Sequence, residues 1–197
     1  MSRREVRFAG FGGQGVVLSG VVLGSAASVF GGKHASQTQS YGPEARGGAC
    51  QSEVVISDER VDYPMAEDLQ TLVAMSQEAL DRYVGDLKAG GTLIIDADLV
   101  RRLPTDGAYQ LHQIPATTVA DKELGRRIVA NMVMLGAVVA ITEAVTMAEL
   151  EQAVATMVPP GTEELNLNAI RRGFQLAQAS PGNPARVEPR AEPVPAR

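Results

Sequence analysis

Two glycine-rich segments carry the residue types and spacings that could do chemistry. The first, Gly10-Phe11-Gly12-Gly13-Gln14-Gly15, has the Gly-x-Gly-x-x-Gly order. Glycines at these positions permit a tight turn and a close backbone approach. The N-terminus of a helix that follows such a turn favours a phosphate. The second segment, Ser40-Tyr41-Gly42-Pro43-Glu44-Ala45-Arg46-Gly47-Gly48, sets Arg46 among small residues. Pro43 stiffens the turn, and the planar Arg46 guanidinium could grip a phosphate through two parallel hydrogen bonds. Glu44 could instead pair with Arg46 or with a partner chain. Taken alone, the segment also reads as a surface β-turn.

The first loop has three readings. An NAD site wants an acidic residue about 20 positions further on, at the end of a second strand. Here that region runs Gly31-Gly32-Lys33-His34-Ala35-Ser36-Gln37-Thr38-Gln39-Ser40, with no Asp or Glu. The glycines could also serve only to pack a helix on a strand. Most weight falls on a different phosphate-bearing or anionic ligand.

The surrounding pattern supplies elements to hold these loops. Val6 to Gly10 reads as a short buried strand, and Val16 to Phe30 has helical length with many small residues. Strand over Gly-loop over helix is the opening of a doubly wound fold. Lys33 to Ser40 reads as a second strand or an extended segment. Further strands are expected at Ser52 to Ser57, Gln70 to Met75, Thr92 to Asp96 and, more weakly, Tyr109 to Ile114. Helices are expected at Gln77 to Leu87, Thr117 to Arg127, Val129 to Glu143, Met147 to Met157 and Asn168 to Gln178. The expected fold is therefore α/β, a Rossmann-like three-layer domain with helices on both faces of a mainly parallel sheet, over residues 1–178. Residues 179–197 hold five of the eleven prolines, interleaved with Ala, Glu and Arg. Such a stretch buries too little apolar surface to offset its ordering entropy and is expected to be a disordered tail.

Composition excludes several classes. Net charge is −5, the isoelectric point is about 5.1, and no basic stripe is visible, which argues against nucleic acid. With 4% aromatic residues and no Trp, an aromatic platform for bases is disfavoured. The longest apolar stretch, Ile128 to Ile141, is broken by Asn131 and Gly136, is too short to span a bilayer, and reads as a buried core helix. The N-terminal residues are charged and lead into a strand without an apolar signal region. A single cysteine, Cys50, rules out an internal disulfide, and a cytoplasmic location is expected.

Other titratable residues have plainer readings. Cys50 is a small, partly buried thiol. His34 is an ordinary polar residue near the loop. His112 has no partner at metal spacing, so no metal is assigned. Asp96 and Asp98 end a strand where ligands of open α/β sheets sit, but a capping or turn role is preferred, with Asp98 preceding a helical Leu99 to Arg102. Lys122, Arg126 and Arg127 read as solvated charges on a helix. Met132 and Met134 read as core filling.

Taken in order, Gly12-Gly13-Gln14-Gly15, the Gln37-to-Gly48 segment, Ser52 to Ser57 and Asn131-Met132-Val133-Met134-Leu135-Gly136 resemble the gamma subunit of the pyruvate/2-ketoisovalerate/2-oxoglutarate:ferredoxin (2-oxoacid:acceptor) oxidoreductase family. The resemblance covers about residues 4–178, and its second loop is more similar to the 2-oxoglutarate and branched-chain branches than to the pyruvate branch. It implies oxidative decarboxylation of a 2-oxoacid, possible aryl glyoxylates included, with transfer of the acyl group to coenzyme A. Thiamine diphosphate, Mg and iron–sulfur clusters are implied on partner subunits: alpha, beta and a ferredoxin-like delta. The electron acceptor is implied to be ferredoxin or a flavin/NAD subunit. By motif, Gly12, Gly13, Gln14 and Gly15 would border coenzyme A, Arg46 would lie near its phosphates, and Asn131 would offer a polar contact. No catalytic residue is carried over to this chain. One cysteine cannot ligate a cluster, and Gly85-Asp86 is followed by Leu87 rather than a thiamine-type Gly. Two rivals stand beside this reading: a purely structural assembly subunit, and a free-standing NAD-dependent enzyme.

Overall fold

The computed structural model describes residues 3–41, 49–104, 107–179 and 182–187. In chain order, β1 (Arg3–Phe11) leads into α1 (Val16–Ser25), which continues as one π-helical turn over Ala26–Phe30. Then come β2 (His34–Tyr41), β3 (Ala49–Ser57), β4 (Thr71–Ala74), α2 (Gln77–Tyr83), β5 (Gly91–Asp96) and β6 (Gly107–Ile114). The short α3 (Ala116–Thr118) runs on as a π-helix to Glu123, and α4 (Ala130–Thr142), α5 (Met147–Met157), α6 (Glu163–Ala179) and β7 (Asn183–Val187) follow.

The strands form one seven-stranded sheet in the order β2-β3-β1-β4-β5-β6-β7. Its four central strands, β1, β4, β5 and β6, are parallel. β2 and β3 add an antiparallel hairpin on one side, and β7 pairs antiparallel with β6 on the other. Alternation along β1 sorts its side chains between two cores. Val6 and Phe8 face the larger core with α1, α4 and α6, whereas Ala9 faces the smaller core with Leu80 and Tyr83 of α2. This is the three-layer α/β architecture expected from the strand-loop-helix opening. Among the described residues, no helix is long and apolar enough to cross a membrane.

β1 starts three residues earlier than its apolar run suggests because its charges are paired inside. Arg7 lies opposite Glu53 in the β1–β3 register and meets it at 2.6 Å, with Asp86 as a second partner. The Tyr83 ring covers the guanidinium at 5.3 Å. Glu5, also buried, accepts hydrogen bonds from the amides of Glu67 (2.9 Å) and Asp68 (2.7 Å). These pairs satisfy charges that would otherwise be costly to bury.

α4 is the central helix: every residue from Ala130 to Val139 is buried. It can lie flush on α6 because glycines meet backbone there. A Cβ on Gly136 would overlap the Ile170 carbonyl, and one on Gly173 would overlap the Val133 carbonyl.

Three sequence expectations are corrected. The helix expected over Thr117 to Arg127 stops at Glu123, because Gly125 takes a left-handed φ of +69° and Arg126 is extended; a 3-10 turn over Arg127–Val129 then enters α4. Leu99 to Arg102 is a turn and coil rather than a helix, since Asp96 closes it with its own carbonyl accepting from Leu99 and Val100. Within the segment expected to be a disordered tail, Asn183–Val187 instead pairs with the β6 edge; the rest of that tail beyond Val187 lies outside the described residues. α6 also begins earlier than expected, with Glu163 and Glu164 in its first turn, where acidic side chains favour the helix dipole.

The α4–α6 apposition gives a direct test. Gly136→Ala and Gly173→Ala should each destabilise the chain by about 2–3 kcal/mol in urea denaturation, from forced separation of packed backbones. A loss under about 0.5 kcal/mol, the level of an ordinary surface change, would contradict the contact.

Candidate functional site

The four parallel strands all end on one side of the sheet, where open α/β proteins bind ligands. β1 exits there into the glycine loop. The Gln14 amide donates to the Phe11 carbonyl at 3.2 Å and closes the turn. Gly13 (φ +94°) and Gly15 (φ +73°) take left-handed conformations that L side chains disfavour. The Gln14 carboxamide straps the loop from within: its Oε1 accepts from the Phe11 amide at 2.7 Å and its Nε2 donates to the Met75 carbonyl at 2.9 Å. One side chain thus ties the end of β1 to the end of β4.

The loop is braced from α4 as well. Asn131 Nδ2 donates to the Gly15 carbonyl at 3.2 Å, and the Ser19 amide and hydroxyl donate to the same oxygen at 3.0 and 3.2 Å. A Cβ on Gly15 would overlap the Asn131 side chain. By contrast, a Cβ on Gly12 or Gly13 would meet no atom within 4 Å. The loop is held on its protein side and open on its other side. No side chain caps α1, so its first-turn amides remain available to an anion.

Beside the open side lies a cleft of about 330 Å³. Gly13 and Gln14 form one wall, Met75 follows β4, Leu99 follows β5, and Thr117 comes from α3. Arg127, Ile128 and Ala130 close it from the entry to α4. Behind Thr117 sits Asp96, fully buried, which accepts the Thr117 hydroxyl on Oδ2 at 2.6 Å and the Asp98 amide on Oδ1 at 3.0 Å. Burial pushes the Asp96 carboxyl above its ordinary pKa, and these two hydrogen bonds oppose the rise. Asp98 accepts from the Thr118 amide (2.6 Å) and hydroxyl (2.8 Å), so its capping role is toward α3.

The structure therefore brings Gly12, Gly13, Gln14, Gly15 and Asn131 together. Arg46 lies outside the described residues, but the ends of its segment do not: Tyr41 pairs with Cys50, and Ala49 pairs with Phe11 at the start of the glycine loop. Both glycine segments leave the sheet at the same end. Cys50 is buried in the larger core, and burial raises its thiol pKa. The residue that sequence reading passed over is Arg127, taken as a solvated helix charge. Gly125 breaks that helix and delivers Arg127 to the cleft; the Leu-Gly-Arg-Arg step before an apolar run was the available signal.

In a dinucleotide site the acid ends the parallel strand beside β1; here that strand is β4, and the residue that follows it is Met75, while β2 and β3 form an antiparallel hairpin. Nothing in this arrangement favours NAD.

Comparison with known proteins agrees with this geometry. The family described as pyruvate ferredoxin/flavodoxin oxidoreductase matches residues 5–176. The 2-oxoglutarate synthase subunit KorC of Methanothermobacter marburgensis is 52% identical over 179 residues, covering 88% of this chain and 96% of that protein. Among solved structures, the gamma subunit of a keto/oxoacid ferredoxin oxidoreductase from Geobacter sulfurreducens superposes with a TM-score of 0.84 at 48% identity, over 91% of this chain and 98% of that one. The 2-oxoglutarate:ferredoxin oxidoreductase of Magnetococcus marinus, with 2-oxoglutarate, coenzyme A and succinyl-CoA bound, shares the fold at a TM-score of 0.83 and 22% identity, over 93% of this chain and 32% of that one.

Asp96 gives a pH test. Its folded pKa lies above the unfolded carboxylate value, so between the two the native state holds the extra proton. Stability then falls as pH rises through that window and is level above it. Asp96→Asn can still accept the Asp98 amide and should flatten this part of the stability–pH profile. An unchanged profile in the variant would show that Asp96 is not the group responsible.

Proposed function

Since this chain belongs to the pyruvate ferredoxin/flavodoxin oxidoreductase family, as a gamma subunit of a 2-oxoacid:ferredoxin oxidoreductase, we propose that it contributes part of the coenzyme A site in a complex acting on 2-oxoglutarate. The substrate is favoured by the relatives' names, 2-oxoglutarate synthase at 52% and 48% identity. The observation that carries the coenzyme A reading is the glycine loop: braced from inside by Gln14 and Asn131, unobstructed at Gly12 and Gly13, and opening onto a cleft at the strand ends.

In this reading the chain binds and orients, and performs no redox step itself. Loop amides and the start of α1 take phosphate oxygens; Gln14 and Asn131 keep those amides in place rather than touching the ligand with their side-chain donors. Arg46 adds a guanidinium from the second segment. The cleft's 330 Å³ sits at the small end of the about 300–1,000 Å³ typical of ligand pockets. It suits one end of the coenzyme, the remainder lying against partner subunits. An iron–sulfur cluster does not fit this chain, which has one cysteine, buried in the core. Clusters and thiamine diphosphate with its Mg belong, in this proposal, to alpha, beta and delta partners, with ferredoxin as electron acceptor.

A tagged chain should co-purify with a thiamine diphosphate-binding partner, and the complex should reduce ferredoxin with 2-oxoglutarate only when coenzyme A is present. Gly12→Leu, which enters open space in the fold, should raise the coenzyme A KM at least about tenfold, and Arg46→Ala about 10- to 100-fold for a lost charge-assisted contact, with assembly unchanged. Activity on another 2-oxoacid but not 2-oxoglutarate would overturn the substrate. Failed assembly with an unaltered KM in the residual complex would favour a purely structural subunit.

A further inference from the structure

Among the described residues lining the cleft, Arg127 is the one that carries a charge. It has no carboxylate partner among the described residues, whereas Arg3, Arg7, Arg102, Arg171 and Arg172 all do. The two acids that meet α3 at Thr117 and Thr118 are already occupied. Asp96 is buried behind Thr117, and Asp98 is bonded to Thr118. In a chain of net charge −5, the cleft therefore carries a positive charge opposite the amides of the glycine loop. A concave site with one sign of charge concentrates the opposite sign.

Thr117 adds a second constraint. Its hydroxyl has one proton, and that proton is donated to Asp96 at 2.6 Å. The other Asp96 oxygen is held by the Asp98 amide, which fixes the carboxylate. Toward the cleft Thr117 can only accept. A phosphate at neutral pH offers little to an acceptor, but a ribose hydroxyl or an adenine amino group offers a donor. Met75, Leu99 and Ile128 supply apolar wall between these polar points, and Ile128 is 75% exposed beside Arg127.

We propose that Arg127 and Thr117 determine which ligand the cleft accepts: Arg127 binds a phosphate jointly with the Gly13 end of the loop, and Thr117 accepts a hydrogen bond from a nucleoside hydroxyl or amino group, with Asp96 as the positioning residue. The cleft thus takes the phosphorylated adenosine end of its ligand, which rests on the coenzyme A reading above and assigns that site's orientation.

The test uses the assembled complex and three probes: coenzyme A as substrate, and adenosine 3′,5′-bisphosphate and inorganic pyrophosphate as competitors. Arg127→Gln should raise the coenzyme A KM about 10- to 100-fold with little change in kcat, and weaken both competitors. Arg127→Lys should recover part of the loss, since the charge stays but the fork does not. Thr117→Val should weaken adenosine 3′,5′-bisphosphate several-fold and leave pyrophosphate unchanged, while Thr117→Ser, which keeps the hydroxyl, should match the parent. Gly12→Leu separates the two layers of the argument. If it raises the coenzyme A KM while Arg127→Gln does not, the coenzyme A site stands and the role of Arg127 is wrong. If Thr117→Val weakens pyrophosphate as much as the bisphosphate, donor recognition is wrong. If Gly12→Leu itself leaves the KM unchanged, the coenzyme A reading fails first.

Discussion

The placement of α4 against the glycine loop is the constraint on which the site depends. Its N-terminus reaches the loop through the Asn131 amide, which donates to the Gly15 carbonyl where Ser19 already donates twice. Its length lies on α6 through Gly136 and Gly173, where only hydrogen leaves room for the opposing backbone. Small residues far from the cleft therefore set the depth at which the helix stops, and with it the position of Arg127 and Ile128 at the cleft wall. The Gln14 carboxamide completes the frame by tying β1 to β4. A loop built this way has its one polar side chain, Gln14, turned inward and its Gly12–Gly13 face left open, a preorganisation that suits anion binding.

Much of this was legible in residue order. The strand, the glycine loop and the start of α1 followed from local rules, since β-branched runs, glycine spacing and small-residue helices act over a few residues. α5 matched its expected Met147 to Met157 span because Thr146 and Glu149 form a reciprocal capping box. Non-local features were not legible. Nothing in Lys33 to Ser40 announces that its strand runs antiparallel beside β3, because a hairpin partner across a seven-residue connection is set by tertiary pairing. The π-helical endings of α1 and α3 shift the helix register without changing composition. β7 arises because the β6 edge offers unpaired backbone groups, an opportunity that a Pro-rich tail composition conceals.

The same limit explains the site. Gly12, Gly13, Gln14 and Gly15 are consecutive, so spacing alone flagged them. Asn131 came in only through resemblance to a family, since 116 positions separate it from Gly15. Arg127 needed the break at Gly125, which a periodic reading of Thr117 to Arg127 smooths over. Asp96 was noticed as a strand-end acid; its burial, and its use in fixing the Thr117 proton, required coordinates. Arg46, the cation that sequence favoured, and Arg127, the cation that the fold presents, are not rivals. They belong to segments whose anchors lie at one end of the sheet.

A division of labour follows from these dimensions. The chain offers a small cleft, a braced loop and, among the described residues lining that cleft, one charge at Arg127; its single thiol is buried in the core. It can hold one end of a long acyl carrier and leave the reacting end to chains that carry the redox groups. Hydrogen exchange of the assembled complex measures this most directly. With saturating coenzyme A, amides from Gly12 to Leu18 and from Arg127 to Met132 should exchange more slowly than in the unliganded complex, with other helices of this chain little changed. Protection confined to the partner subunits, with both of these segments exchanging as before, would contradict the account.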